Sequence, residues 1–80
     1  MNMYDAVKLR ILELCEQKNM SIYRLSLESG VSQSTIKSIL YGKSKNPGII
    51  TLKMLCDGLG VSIIQFFDTE VFKDLPQEMF

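Results

Sequence analysis

Residues 21–42 constrain this chain more than any other stretch. They read Ser-Ile-Tyr-Arg-Leu-Ser-Leu-Glu-Ser-Gly-Val-Ser-Gln-Ser-Thr-Ile-Lys-Ser-Ile-Leu-Tyr-Gly. Apolar residues recur at helical spacing on both sides of Gly30: Leu25 and Val31 flank the turn, with Ile36 and Ile39 beyond it. Glycine takes a positive φ at least cost, so Gly30 is where the first of two short helices must stop. Ser21 and Ser32 are placed to cap them. The Ser32 hydroxyl can accept from the backbone N–H of Ser34 or Thr35. Two short helices meeting at a tight glycine turn leave little room for a sheet.

The flanking sequence is helical as well. Val7, Ile11, Leu14 and Cys15 form a buried stripe on a first helix spanning about Tyr4 to Lys18, with Asp5 favouring its positive start. Asn19 suits the left-handed position that ends it. The second helix runs from Ile22 to Ser29 and the third from Gln33 to Tyr41, closed by Gly42. Lys43 to Ile50 is a loop, since Asn46-Pro47-Gly48 excludes regular structure. Thr51 is the expected cap of a fourth helix bearing Leu52, Leu55, Cys56 and Leu59, which Gly60 stops. Ser62 and Gln65 form a capping box for a fifth, carrying Ile63, Ile64, Phe66 and Phe67. Val71, Phe72 and Leu75 allow a sixth turn ending before Pro76. The expected fold is all-α, a compact five-helix domain over residues 1–68 with a tail over 69–80.

Eighty residues suffice for one small core and little more. No stretch approaches the roughly 20 apolar residues of a membrane span. The N-terminus shows no basic segment followed by an apolar run, which predicts a cytoplasmic location. The chain has no histidine, and Cys15 and Cys56 lie too far apart to make a metal set, so they read as reduced thiols on apolar faces and no cofactor is expected. Net charge is zero, yet the charges are segregated. From Met20 to Leu55, Arg24, Lys37, Lys43, Lys45 and Lys53 face Glu28 alone. From Cys56 onward, Lys73 stands against Asp57, Asp68, Glu70, Asp74 and Glu78. The basic half coincides with the paired helices, which favours an anionic partner there.

The spacing Ser21, Leu25, Gly30, Val31-Ser32, Ile36, Gly42, followed by Lys43-Ser44-Lys45-Asn46-Pro47 and Leu59-Gly60-Val61-Ser62, resembles the Cro and lambda-repressor-like helix-turn-helix regulators. That family is also called the xenobiotic-response-element family. The resemblance extends from about Tyr4 to Asp68. It implies that the third helix enters the DNA major groove. Helical geometry turns Gln33, Ser34, Lys37, Ser38 and Tyr41 away from the apolar face. Gln33, Ser34, Lys37 and Ser38 are the candidates for reading bases, and a glutamine amide can pair bidentately with adenine. Candidates for phosphate contacts are Tyr23, Arg24, Tyr41, Lys43, Ser44, Lys45 and Asn46. The bland alternative for the loop lysines and for Ser38 is a solvated surface.

Two departures from the family pattern stand out. Ile22 occupies a position where many members carry a glutamine that braces the DNA backbone, so that contact is lost or passes to Tyr23. The buried arginine–glutamate pair of some phage repressors matches Cys15 and Leu40, both apolar here, which avoids a lone buried charge. Two functions fit. The leading one is a sequence-specific transcriptional regulator, of repressor type, acting as a homodimer on a palindromic double-stranded operator. Candidate dimer contacts are Phe66, Phe67, Val71, Phe72, Met79 and Phe80. The other is a protein-interaction module, such as an antitoxin or adaptor, on the same fold. No histidine, no clustered carboxylates and no phosphate-binding glycine loop speak for an enzyme.

Overall fold

Caps decide where most of the helices begin. A computed structural model describes residues 1–78, and those residues form six helices and no strand: α1 (Met3–Gln17), α2 (Ile22–Ser29), α3 (Gln33–Leu40), α4 (Ile49–Leu59), α5 (Ile63–Phe67) and α6 (Glu70–Lys73). The α1 cap is Asn2, one step earlier than the sequence suggested. Its side chain accepts from the Asp5 N–H, and the Asp5 carboxylate accepts in return from the Asn2 N–H. Asp5 thus favours the helix start by a specific bond as well as by its charge. Ser21 caps α2, accepting from the Arg24 N–H at 3.0 Å, and Ser32 caps α3, accepting from Thr35. The Ser62–Gln65 capping box of α5 is formed in full. Gly30 sits at φ 75°, and Asn19 ends α1 at φ 52°.

The start of α4 differs from the expectation. The helix begins at Ile49, with Gly48 as its cap and no side-chain bond there. The Leu52 N–H reaches the Gly48 carbonyl at 3.0 Å, so backbone alone closes the first turn. Thr51 therefore lies inside α4. A good capping residue is overridden when the preceding Pro-Gly already ends the loop.

The core gathers one face of every helix but the short α6. Ile11, Leu25, Ile36, Ile39, Leu55 and Phe66 are its largest fully buried members, together with Leu59 and Cys56. Each large aliphatic side chain removed from water contributes about 1.5–3 kcal/mol. The α2–α4 contact is the tightest seam. A Cβ on Gly58 would lie 2.7 Å from Ser29 Cβ and 2.8 Å from its Cα and N. The turn of the paired helices is thereby seated on the backbone of α4.

Phe66 meets Phe67 edge-on at 4.9 Å, and Phe67 meets Phe72 likewise. This corrects the dimer candidates. Phe66 is fully buried in its own core, and Phe67 and Phe72 pack against that core half-buried. Val71 is exposed, while Met79 and Phe80 lie outside the described residues. α6 rests on α1, so this short helix adds to the domain's own packing.

The first helix carries a half-buried arginine of a different kind, Arg10, whose side chain is 11% exposed. Its Nε donates to the Phe66 carbonyl at 2.7 Å and Nη2 to the Gln65 carbonyl at 2.9 Å. Glu13, one turn along α1, completes an ion pair. The guanidinium serves the Phe66 carbonyl, which has no backbone donor among the described residues, and adds to the long 3.4 Å bond that the Asp68 N–H makes to the Gln65 carbonyl. Leu40 is buried as expected, but Cys15 is only half-buried. Cys15 packs on the core from one side and lines an open depression with Glu16, Asn19, Met20, Ser21 and Arg24 on the other. Both cysteines are free thiols. Burial pushes both upward in pKa; at Cys56 the neighbouring Asp57 adds to the rise, while Lys53 and Arg10 oppose it.

Candidate nucleic-acid interface

The α3 helix divides cleanly. Ile36, Ile39 and Leu40 are buried, and Gln33, Ser34, Thr35 and Lys37 are exposed. Two side chains of the exposed set are already engaged. Ser32 Oγ donates to Thr35 Oγ1 at 2.9 Å, and the Ser34 hydroxyl lies 3.4 Å from Ser32 Oγ. Among the described residues, the Gln33 amide and the Lys37 ammonium make no side-chain hydrogen bond or ion pair. They are free to meet an incoming partner.

Ser38 departs from the outward placement expected of it and is half-buried. It sits where the chain leaves the helix, and its carbonyl accepts from the N–H groups of both Lys43 and Ser44, each at 2.9 Å. These two bonds fold the loop back on the helix end. They leave Lys43, Lys45 and Asn46 exposed and Ser44 half-buried. Tyr41, the last-turn cap, is widely exposed, as is Tyr23 in the first turn of α2. Ile22 packs partly against the core, which explains an aliphatic residue at that position.

Charge is organised by pairing. Arg24 is bound to Glu28 at 2.7 Å along α2. Lys53 pairs with Asp57, and Lys73 with Glu70 and Asp68. Lys37, Lys43 and Lys45 have no acidic partner among the described residues. Three of the five lysines without an acidic partner among the described residues thus fall on α3 and the loop that follows it, the other two being Lys8 on α1 and Lys18 at its end. Arg24 reaches a phosphate only by sharing or releasing Glu28, an exchange that costs little because exposed pairs are weak.

The Thr35 hydroxyl also belongs to this polar face. Sequence reasoning passed over it, because two residues from Gln33 is not a same-face spacing on a helix and Thr35 lies at the margin of the exposed arc.

Comparison with known proteins also returns a helix-turn-helix domain. The Cro/C1-type HTH DNA-binding domain matches residues 10–71. The chain belongs to this family. The HTH-type transcriptional regulator SlrR of Bacillus subtilis (strain 168) is 39% identical over 62 residues. That match covers 76% of this chain and 41% of the regulator, so the chain spans less than half of that relative. The crystal structure of the prophage Lp1 protein 11 superposes with a TM-score of 0.79 and 33% identity. The match covers 94% of this chain and all of that one, so the two share their overall fold.

Proposed function

We propose that this member of the Cro/C1-type family is a cytoplasmic transcriptional repressor that lays α3 in the major groove of duplex DNA. The observation that carries the proposal is the coincidence of a free Gln33 amide with three unpaired lysines, Lys37, Lys43 and Lys45, on one helix and its exit loop. Gln33, near the N-terminus of α3, is suited to adenine N6 and N7, with Ser34, Lys37 and, at the margin, Ser38 beside it. Tyr23, Arg24, Tyr41, Lys43, Ser44, Lys45 and Asn46 are the phosphate contacts that fix register. Occupying an operator is sufficient to exclude a competing protein from it.

One helix of eight residues reads too few base pairs for genomic specificity. Two copies on a palindrome, with their α3 helices about 34 Å apart, remove that limit. The apolar surface available for pairing is not the set of phenylalanines. Apart from Val71, which lies against α1, Ile49, Ile50 and Ile64 are exposed by 77%, 72% and 79%. The same isoleucines are what favours the second reading, a module that binds another protein, because exposed apolar patches mark interfaces.

Fluorescence anisotropy on a labelled duplex, enriched by the chain from a randomised pool, tests the reading. Binding should weaken steeply with salt, since each phosphate contact releases a counterion. Sedimentation with that duplex should show two chains per palindrome. Failure to enrich any duplex, or binding indifferent to salt, overturns the proposal.

A further inference from the structure

The recognition helix ends on a bond from the other end of the chain. Tyr4, in the first turn of α1, donates its hydroxyl to the Ile39 carbonyl at 2.5 Å, across 35 residues of sequence. Ile39 is in the last turn of α3, where carbonyls lose their intrahelical partners. The neighbouring carbonyls are served from within. The Lys37 carbonyl accepts from the Tyr41 N–H, and that of Ser38 accepts from Lys43 and Ser44. The Ile39 carbonyl is left to Tyr4. The phenol oxygen also lies within 3.8 Å of where a Cβ on Gly42 would be, at the start of the loop. Along the same edge, Met3, Tyr4 and Val7 share a groove with Lys45, Asn46 and Pro47. The Lys8 ammonium stands 5.6 Å over the Tyr4 ring, which holds the ring in place.

From this geometry we infer that Tyr4 is a positioning residue for DNA binding. It pins the C-terminal end of α3, and with it the loop carrying Lys43 and Lys45, to α1. The inference rests on the DNA-binding reading above. Tyr4 is half-buried, and its hydroxyl is bonded to the backbone of Ile39 rather than to a candidate base or phosphate contact. Without the hydroxyl the ring still fills its place, but the helix end and loop are free to shift. The cost then falls on the phosphate contacts made from that loop, which depend on register to within a fraction of an ångström.

The test compares the full chain with Tyr4→Phe. The probes are the duplex enriched by the unaltered chain and an unrelated duplex of equal length. Binding is read across a salt series at a temperature where circular dichroism shows both proteins folded. Amide exchange at Lys43 and Ser44 is followed in parallel. The expected result is affinity lower by about fivefold, the worth of one ordinary hydrogen bond. The loss should be similar on both duplexes, with a salt slope shallower by about one phosphate contact and faster exchange at Lys43 and Ser44. A role in stability alone lowers the melting temperature and leaves the salt slope and the exchange of the two amides unchanged, and that result overturns the inference. So does binding equal to the unaltered chain. If the unaltered chain itself binds no duplex, it is the DNA-binding reading that fails.

Discussion

Gly58→Ala should destabilise this domain, although alanine is the better helix former. Gly58 lies inside α4, where glycine costs about 1 kcal/mol relative to alanine. On helix propensity alone the substitution is stabilising. The tertiary contact reverses the sign. The new Cβ would meet Ser29 Cβ at 2.7 Å and Ser29 Cα and N at 2.8 Å, against 3.4 Å or more for ordinary contact. Two of those three atoms are backbone, so no rotamer change relieves the overlap. α2 must move off α4 by about 0.7 Å, and a gap of that size forfeits a quarter to a half of each van der Waals well it opens. A buried leucine makes about 40–60 contacts of about 0.1–0.2 kcal/mol each. Losing a third of the contacts of one residue such as Leu55 costs about 2–3 kcal/mol by that count. Set against the propensity gain, the net is a loss of about 1–2 kcal/mol, within the usual cost of overpacking. In a domain of this size that lowers Tm by about 5–15 °C. Thermal and urea unfolding followed by circular dichroism measure it directly, and Gly58→Val should fall further. An alanine variant that melts at or above the unaltered chain would refute the close-approach argument.

Three other outcomes can be checked at the bench. Gln33→Ala should weaken binding to the enriched duplex by about 1–3 kcal/mol and relax preference at one base pair; equal losses on specific and unrelated duplexes would show that Gln33 does not read a base. Arg10→Ala should cost about 1–3 kcal/mol in urea unfolding, because it strands the Phe66 carbonyl, leaves Gln65 with only the long Asp68 bond and removes a nearly buried stem; a loss below about half a kilocalorie would mean that water replaces the guanidinium. The third concerns alkaline pH. Burial first, then Asp57, raises the Cys56 thiol above the ordinary value of 9.0. The unfolded chain therefore releases that proton first, and stability is intact below the ordinary thiol range and falls as pH climbs through it. Cys56→Ala should flatten the fall in urea midpoint between about pH 8 and pH 10. An unchanged slope would assign the alkaline loss to other groups.

The order of helices, the caps of α2, α3 and α5 and most of the outward face of α3 were legible because they are local. Ser21, Gly30, Ser32, Ser62 and Gln65 act on atoms within a few residues of themselves, and helical spacing sorts Ile36 and Ile39 from Gln33 and Lys37 wherever the helix lies. Lys37, Lys43 and Lys45 could be named from the sequence, but not their lack of acidic partners, since pairing depends on which carboxylates come near. The remaining features belong to the tertiary structure. Gly58 looks like a blemish in a helix until α2 is laid across it. Arg10 looks like a surface charge until α5 ends against its guanidinium. Phe66, Phe67 and Phe72 read as surplus apolar side chains for a partner until α6 folds back and they close on one another. Tyr4 carries no motif at all, and its bond to Ile39 exists only because the two ends of a 35-residue interval meet. Short-range hydrogen bonds and periodicity are properties of a segment. Close approach, charge pairing across helices and the filling of a core are properties of the packed whole.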